Sequence, residues 1–232
     1  MEEIIHVPEE QSETGNLTEY TESVVECFDS VPEVAKPLIG SAGRLLNRIE
    51  KMTHGRITII TGSPGTGKST VADKAAMESD MEKSVCIRTD DFFHYLKKGA
   101  IPPHLPESNA QNGVVIEAFL ESAKRFVKGG YDVYVDGIVG PWFLEPWLVA
   151  ARKGYELRYM VLRASREITL RRAVERSKLD LKTNTELVEI MWEQFCDLGK
   201  YEANVIDTTA QTVSETVQSI KAHLKSGQNR IM

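Results

Sequence analysis

A β-branched run, Arg56-Ile57-Thr58-Ile59-Ile60-Thr61, leads into Gly62-Ser63-Pro64-Gly65-Thr66-Gly67-Lys68-Ser69-Thr70. The second stretch has the spacing G-x-x-x-x-G-K-S, in which glycines let successive backbone N–H groups turn inward on phosphate oxygens. Residues 69–78 have helical composition, so the order is strand, loop, helix. The helix N-terminus then adds its positive dipole at the same spot. Lys68 is expected to place its ammonium on the β and γ phosphates, and the Ser69 hydroxyl to take one position on Mg²⁺. Residues 62–70 therefore read as a cradle for a nucleoside triphosphate.

The rest of the chain alternates strand and helix in the same way. Strands are expected at residues 84–89, 131–135, 156–162 and 204–206. Helical periodicity covers residues 38–52, 113–128 and the stretch from Ser165 through Arg176. Thr183 with Glu186, and Thr212 with Glu215, have capping-box spacing ahead of further apolar periodicity. Such alternation means a parallel sheet covered by helices on both faces. Residues 90–112, with Pro102, Pro103 and Pro106, read as irregular.

Charge divides the chain unevenly. Of the 34 acidic residues, ten lie in residues 1–35, which have no Lys or Arg; the remaining 24 share residues 36–232 with all 28 basic ones. We read residues 1–35 as an acidic leader, helix or tail, with a protein partner as one use for it, and residues 36–232 as the folded domain. A mildly basic body without an extended basic face or an aromatic-basic motif argues against nucleic acid as the partner. No apolar stretch approaches membrane-spanning length, and the acidic N-terminus is unlike a signal peptide. Cys27, Cys86 and Cys196 are far apart and lack metal-ligand spacing, as in a reducing compartment. A cytoplasmic protein is expected.

In parallel sheets, ligands sit beyond the carboxyl ends of the strands. Asp90-Asp91 follow the second strand, where a carboxylate can face the phosphate loop and accept a proton from an attacking hydroxyl. We assign Asp90 as that base and Asp91 as a helix cap or a partner beside the substrate. Asp136 ends the third strand before Gly137, either holding the Mg²⁺ shell or starting a tight turn. The aromatic residues 140–147, Trp142 among them, either wall a substrate pocket or cover the core edge. Arg163 follows the fourth strand. Arg171, Arg172 and Arg176 follow on one helix, with Arg172 and Arg176 best spaced to clamp phosphoryl oxygens from a lid around residues 163–185; a solvated helix face is the plain alternative. His94, Lys97, Lys98 and His104 offer either an anion-binding group or a charged surface.

These residues resemble a P-loop kinase of the group that holds chloramphenicol phosphotransferase and the zeta toxins. The matching segments are G-S-P-G-T-G-K-S-T (residues 62–70), T-D-D-F (residues 89–92) and V-D-G-I-V-G-P-W-F-L (residues 135–144). The resemblance implies a five-stranded parallel sheet in the order 2-3-1-4-5 and transfer of the ATP γ-phosphate to a hydroxyl. It assigns the base to Asp90, the phosphate and metal contacts to Lys68 and Ser69, and the lid arginines to the region 171–176. Absence of the base-reading sequence N-K-x-D favours ATP over GTP. The small-molecule acceptor is not carried over, because acceptors in the group range from an antibiotic to a nucleotide sugar. Rival expectations are a toxin-like sugar-nucleotide kinase and a non-catalytic ATP-dependent switch.

Overall fold

The structure, a computed structural model, describes residues 55–176 and 181–232, with the side chains of Arg176 and of residues 181–184 left out. The expected leader at 1–35, the expected helix at 38–52 and the Thr183 capping pair lie wholly or partly outside the described residues.

Strand β1 (Ile57–Thr61) is buried along its whole length. That follows from its place in the middle of the sheet, between β3 (Asp132–Asp136) and β4 (Leu157–Arg163). β2 (Ser84–Arg88) flanks β3, and the short β5 (Val205–Asp207) flanks β4. The order is therefore β2-β3-β1-β4-β5, all parallel, as the family resemblance implied. One addition was not foreseen. β6 (Arg230–Ile231) pairs antiparallel with Leu157 and Arg158, covering the part of the outer β4 edge that β5 leaves open.

Period-two alternation sends side chains to two cores. Ile57, Ile59, Val133, Val135, Tyr159 and Val161 face α3 (Asn109–Lys128) and α4 (Glu145–Arg152), where Phe119, Ala123 and Trp147 are fully buried. Ile60, Tyr134, Met160 and Leu162 face α1 (Lys68–Met77) and α7 (Val213–Ser226), which supply Val71, Ala72, Ala75, Val217 and Ile220. Both faces are thus sealed, as a parallel sheet requires. The helix α7 opens on the expected capping box, Thr212 and Glu215 bonding each other's backbone amides.

Three expectations shift. β2 stops at Arg88, and Thr89 begins a short helix, α2 (Thr89–His94), so Asp90 and Asp91 lie in a first helical turn instead of an irregular loop. Acidic residues there complement the helix dipole, which the strand-like reading of Thr89 hid. The helix expected from residue 113 begins at Asn109, because the Asn112 side chain donates to the Pro103 carbonyl and to Ser108 and anchors an earlier start. Residues 145–152 form α4, with Pro146 in its first turn and Trp147 driven into the core. No helix among the described residues is long and apolar enough to cross a membrane. Burial pushes the Cys86 thiol up to about 12, with the neighbouring Asp73 adding to the effect.

Candidate active site

The loop between β1 and α1 closes on itself through Thr66, whose hydroxyl and amide both donate to the Ser63 carbonyl, at 2.9 and 3.4 Å. Ser63 and Thr66 are buried, so the loop's shape is fixed by its own polar groups. Gly67, at φ 89°, caps α1, and the first bond within the helix runs from the Val71 amide to the Gly67 carbonyl. The amides of Ser69 and Thr70 come before that bond, in the first turn, where a helix offers its N–H groups no carbonyl of its own. This is the geometry that grips an anion.

A roof lies over the loop. α5 (Arg166–Arg176), whose Ser165 hydroxyl accepts from the Ile168 amide, packs so closely on Gly65 that a Cβ there would fall 2.5 Å from the Thr169 carbonyl oxygen. With φ +88° as well, position 65 has room and backbone freedom for glycine alone. The same contact shows which face of α5 meets the loop: that of Thr169 and Ala173.

Asp136 stands beside the loop. It ends a fully buried strand, and its side chain is 6% exposed. Burial raises its pKa above the usual carboxylate value. The Ser69 hydroxyl and Lys68 act against that shift, and Asp90 adds to it. One carboxylate oxygen, Oδ1, is buried with no hydrogen-bond partner. A lone anionic oxygen next to the Ser69 hydroxyl suits a hard cation that takes oxygen ligands and completes its shell with phosphate and water. The described residues contain no group of three His, Cys, Asp or Glu that could hold a metal.

Asp90 lies within electrostatic reach of Asp136, so the structure brings together Lys68, Ser69, Asp136 and Asp90. The other expected residues make contacts of their own. Asp91 is exposed and does not cap α2; Arg88 occupies the N-cap position, and no side-chain bond caps that helix. Trp142 lies over Gly140, where a Cβ would fall 2.3 Å from the indole ring, and meets buried Phe195 edge-on at 5.4 Å between centroids. Its indole is 47% exposed at the carboxyl end of β3. The segment leading to it is pinned from both sides: the Val139 amide donates to Thr61 Oγ1 and the Tyr159 hydroxyl donates to the Val139 carbonyl, each at 2.8 Å. Arg172 reaches the Thr208 carbonyl at 3.5 Å, at the carboxyl end of β5, and Arg171 is exposed. The Arg176 side chain is outside the described residues.

Arg163, at the end of β4, ties that strand to residues 195–202. Its guanidinium grips Glu202 with two bonds and donates to the Phe195 and Cys196 carbonyls. The hydrogen bond from Arg163 holds the Glu202 carboxyl below its usual value. A lowered carboxylate pKa stabilises the fold above the unfolded value of about 4.3, and that stability is lost as pH falls through the folded value. Thermal melts of Glu202→Gln against the parent from pH 7 down to pH 3 are therefore expected to differ most at neutral pH and to converge in acid. A gap that stays constant across the range would show that the pair is not the cause.

The site residue we did not single out from sequence is Arg88. As the last residue of β2 it occupied a strand-end position, yet the aspartates after it drew the attention. It is the parallel-sheet partner of Asp136, with Nε 3.8 Å from Oδ2, and its Nη2 donates to Asp73 on α1.

The fold recurs widely among solved structures. The protein APE1195 superposes with a TM-score of 0.57 at 18% identity, over 76% of this chain and 98% of its own. A gluconokinase from Sinorhizobium meliloti 1021 gives 0.51 at 18% identity, over 75% and 93%. The Mycobacterium tuberculosis APS kinase CysC, in complex with AMPPNP and APS, gives 0.52 at 18% identity, over 74% and 98%. At such identities the likeness is one of fold. No match is found among curated proteins. A family model described as an AAA domain matches residues 58–191, more than half of the chain and the whole stretch from β1 through the loop, Asp90, Asp136 and α5. By that match the chain belongs to the AAA_18 family of AAA domains.

Proposed function

We propose that the protein is an ATP-dependent phosphotransferase that moves the γ-phosphate to a hydroxyl group of a small molecule. The observation that carries this reading is Asp90 at the start of α2, two residues past Arg88, the sheet partner of Asp136, and within electrostatic reach of that Asp136, which Ser69 and Lys68 also influence. A switch that only binds nucleotide has no use for a second carboxylate there. A kinase has one, because the acceptor hydroxyl must lose a proton as it attacks.

In this reading the loop amides and Lys68 hold the phosphates and neutralise charge on the β and γ oxygens. Ser69 and Asp136 hold Mg²⁺, which supplies charge neutralisation for the triphosphate. The acceptor oxygen forms a bond to the γ-phosphorus, and the bond from that phosphorus to the β-bridging oxygen breaks. The proton passes to Asp90, and ADP departs with the electron pair. Arg172 and Arg176 stabilise the transferring group when the lid closes, and Trp142, with Asp91 nearby in sequence to Asp90, lines the acceptor side. Support also comes from the fold neighbours, which include a gluconokinase and an APS kinase bound to AMPPNP.

Release of ADP from ATP should be measured across a library of hydroxyl compounds, with Lys68→Ala as the blank. At least one compound class is expected to raise ADP release about tenfold or more over the acceptor-free rate, with the phosphate recovered on the compound. A rate that no hydroxyl compound raises, together with tight ATP binding, would leave the nucleotide switch in its place.

A further inference from the structure

We infer that Arg88 is a positioning residue for the cation site: it fixes the Asp136 carboxylate, and the helix that carries Ser69, in the arrangement that leaves Oδ1 free for the metal. The inference rests on the reading of Ser69 and Asp136 as the Mg²⁺ holders.

Three observations converge on this residue. Arg88 and Asp136 are partners across adjacent parallel strands, so both side chains leave the sheet on the same face. The Nε edge of the guanidinium stands 3.8 Å from Asp136 Oδ2, close enough for ion pairing, while Oδ1 of the same carboxylate has no partner. The other side of the guanidinium, Nη2, donates to Asp73, which follows Ser69 by four residues on α1 and so shares its helix face. One planar cation thus ties β2, β3 and α1 together beside Asp136 and on the helix face of Ser69. Asp90 is two residues further on, and Thr89 between them sits against Gly137 so closely that a Cβ there would fall 2.2 Å from its hydroxyl oxygen.

Stability does not explain the arrangement. Arg88 and Asp73 are 46% and 44% exposed, and pairs so open to water contribute little to folding. Asp136, in contrast, is almost completely buried. Groups that hold a ligating carboxylate in orientation alter metal affinity far more than they alter the fold. Arginine suits the task because its rigid fork can address two carboxylates from different edges, whereas a lysine ammonium is a single point charge.

The test uses the full chain and calorimetric titration of the ATP analogue AMPPNP with and without Mg²⁺. The ratio of the two affinities is the metal increment. Arg88→Met is expected to cut that increment about tenfold, with metal-free AMPPNP affinity within about twofold of the parent. Arg88→Lys is expected to recover part of the loss, and Asp73→Asn to show a smaller loss of the same kind. Asp136→Asn should abolish the increment. Should Asp136→Asn abolish it while Arg88→Met and Asp73→Asn both match the parent, the positioning role is overturned and the metal reading survives. An increment untouched by Asp136→Asn overturns the metal reading and the role of Arg88 with it. Equal losses with and without Mg²⁺ in Arg88→Met would mark a merely structural residue and also overturn the inference. Melting curves without ligand identify any variant that fails to fold; if Arg88→Met does, Arg88→Lys and Asp73→Asn decide.

Discussion

Asp90→Asn is expected to lower phosphotransfer by at least about a hundredfold while ATP affinity changes by no more than about twofold, the pattern of a lost catalytic base. The substitution keeps size and hydrogen bonding but removes the ability to accept a proton. Asp90 is exposed at the start of a short helix, so the fold has little stake in its charge. Burial is what chiefly raises the Asp136 carboxyl, and removing the negative charge of Asp90 takes away a smaller repulsive contribution to it. Nucleotide and metal binding should therefore hold or improve as turnover collapses. Single-turnover measurements with the acceptor found by screening, alongside Asp91→Asn, distinguish the two neighbours. Turnover near the parent's in Asp90→Asn, with collapse in Asp91→Asn, would move the base by one residue.

Asp132→Ala is expected to destabilise the fold by about 3 kcal/mol, the cost of leaving one member of a buried ion pair uncompensated. Asp132 begins β3 with its side chain fully buried and accepts two bonds from the Arg56 guanidinium, at 2.9 and 2.8 Å. Ser79 donates to the same carboxylate, and the exposed Asp80 offers Arg56 a second partner. The cluster lies at the amino end of the strands, opposite the phosphate loop. The loss should accordingly appear in urea or thermal unfolding, with turnover of the remaining folded protein unchanged. A variant that melts with the parent would mean that Asp80 and water fully compensate Arg56.

The parts that sequence made legible are those where one local rule is enough. The glycine and lysine spacing of residues 62–69 dictates its own strand and helix, alternating strands and helices imply a parallel sheet, and its order came from the family resemblance. The Thr212 and Glu215 box is equally local. What escaped depends on partners distant in sequence. Nothing near Arg88 announces Asp73 or Asp136, since the pairing exists only once β2 lies beside β3 and α1 packs across them. Gly65 reads as a loop glycine, yet the Thr169 carbonyl, more than a hundred residues away, is what excludes a side chain there. Thr89 has strand composition, but the acidic pair after it favours a helix start, and tertiary context decided for the helix. Nothing near Arg163 in the sequence announces Glu202, thirty-nine residues on, as its partner.

The tight seating of α5 on the phosphate loop has a mechanical consequence. With the Thr169 carbonyl resting against Gly65, the loop cannot change its curvature without pushing on a helix of eleven residues. Under the proposed reading, any change of loop shape on triphosphate binding would press on the helix that carries Arg171, Arg172 and Arg176.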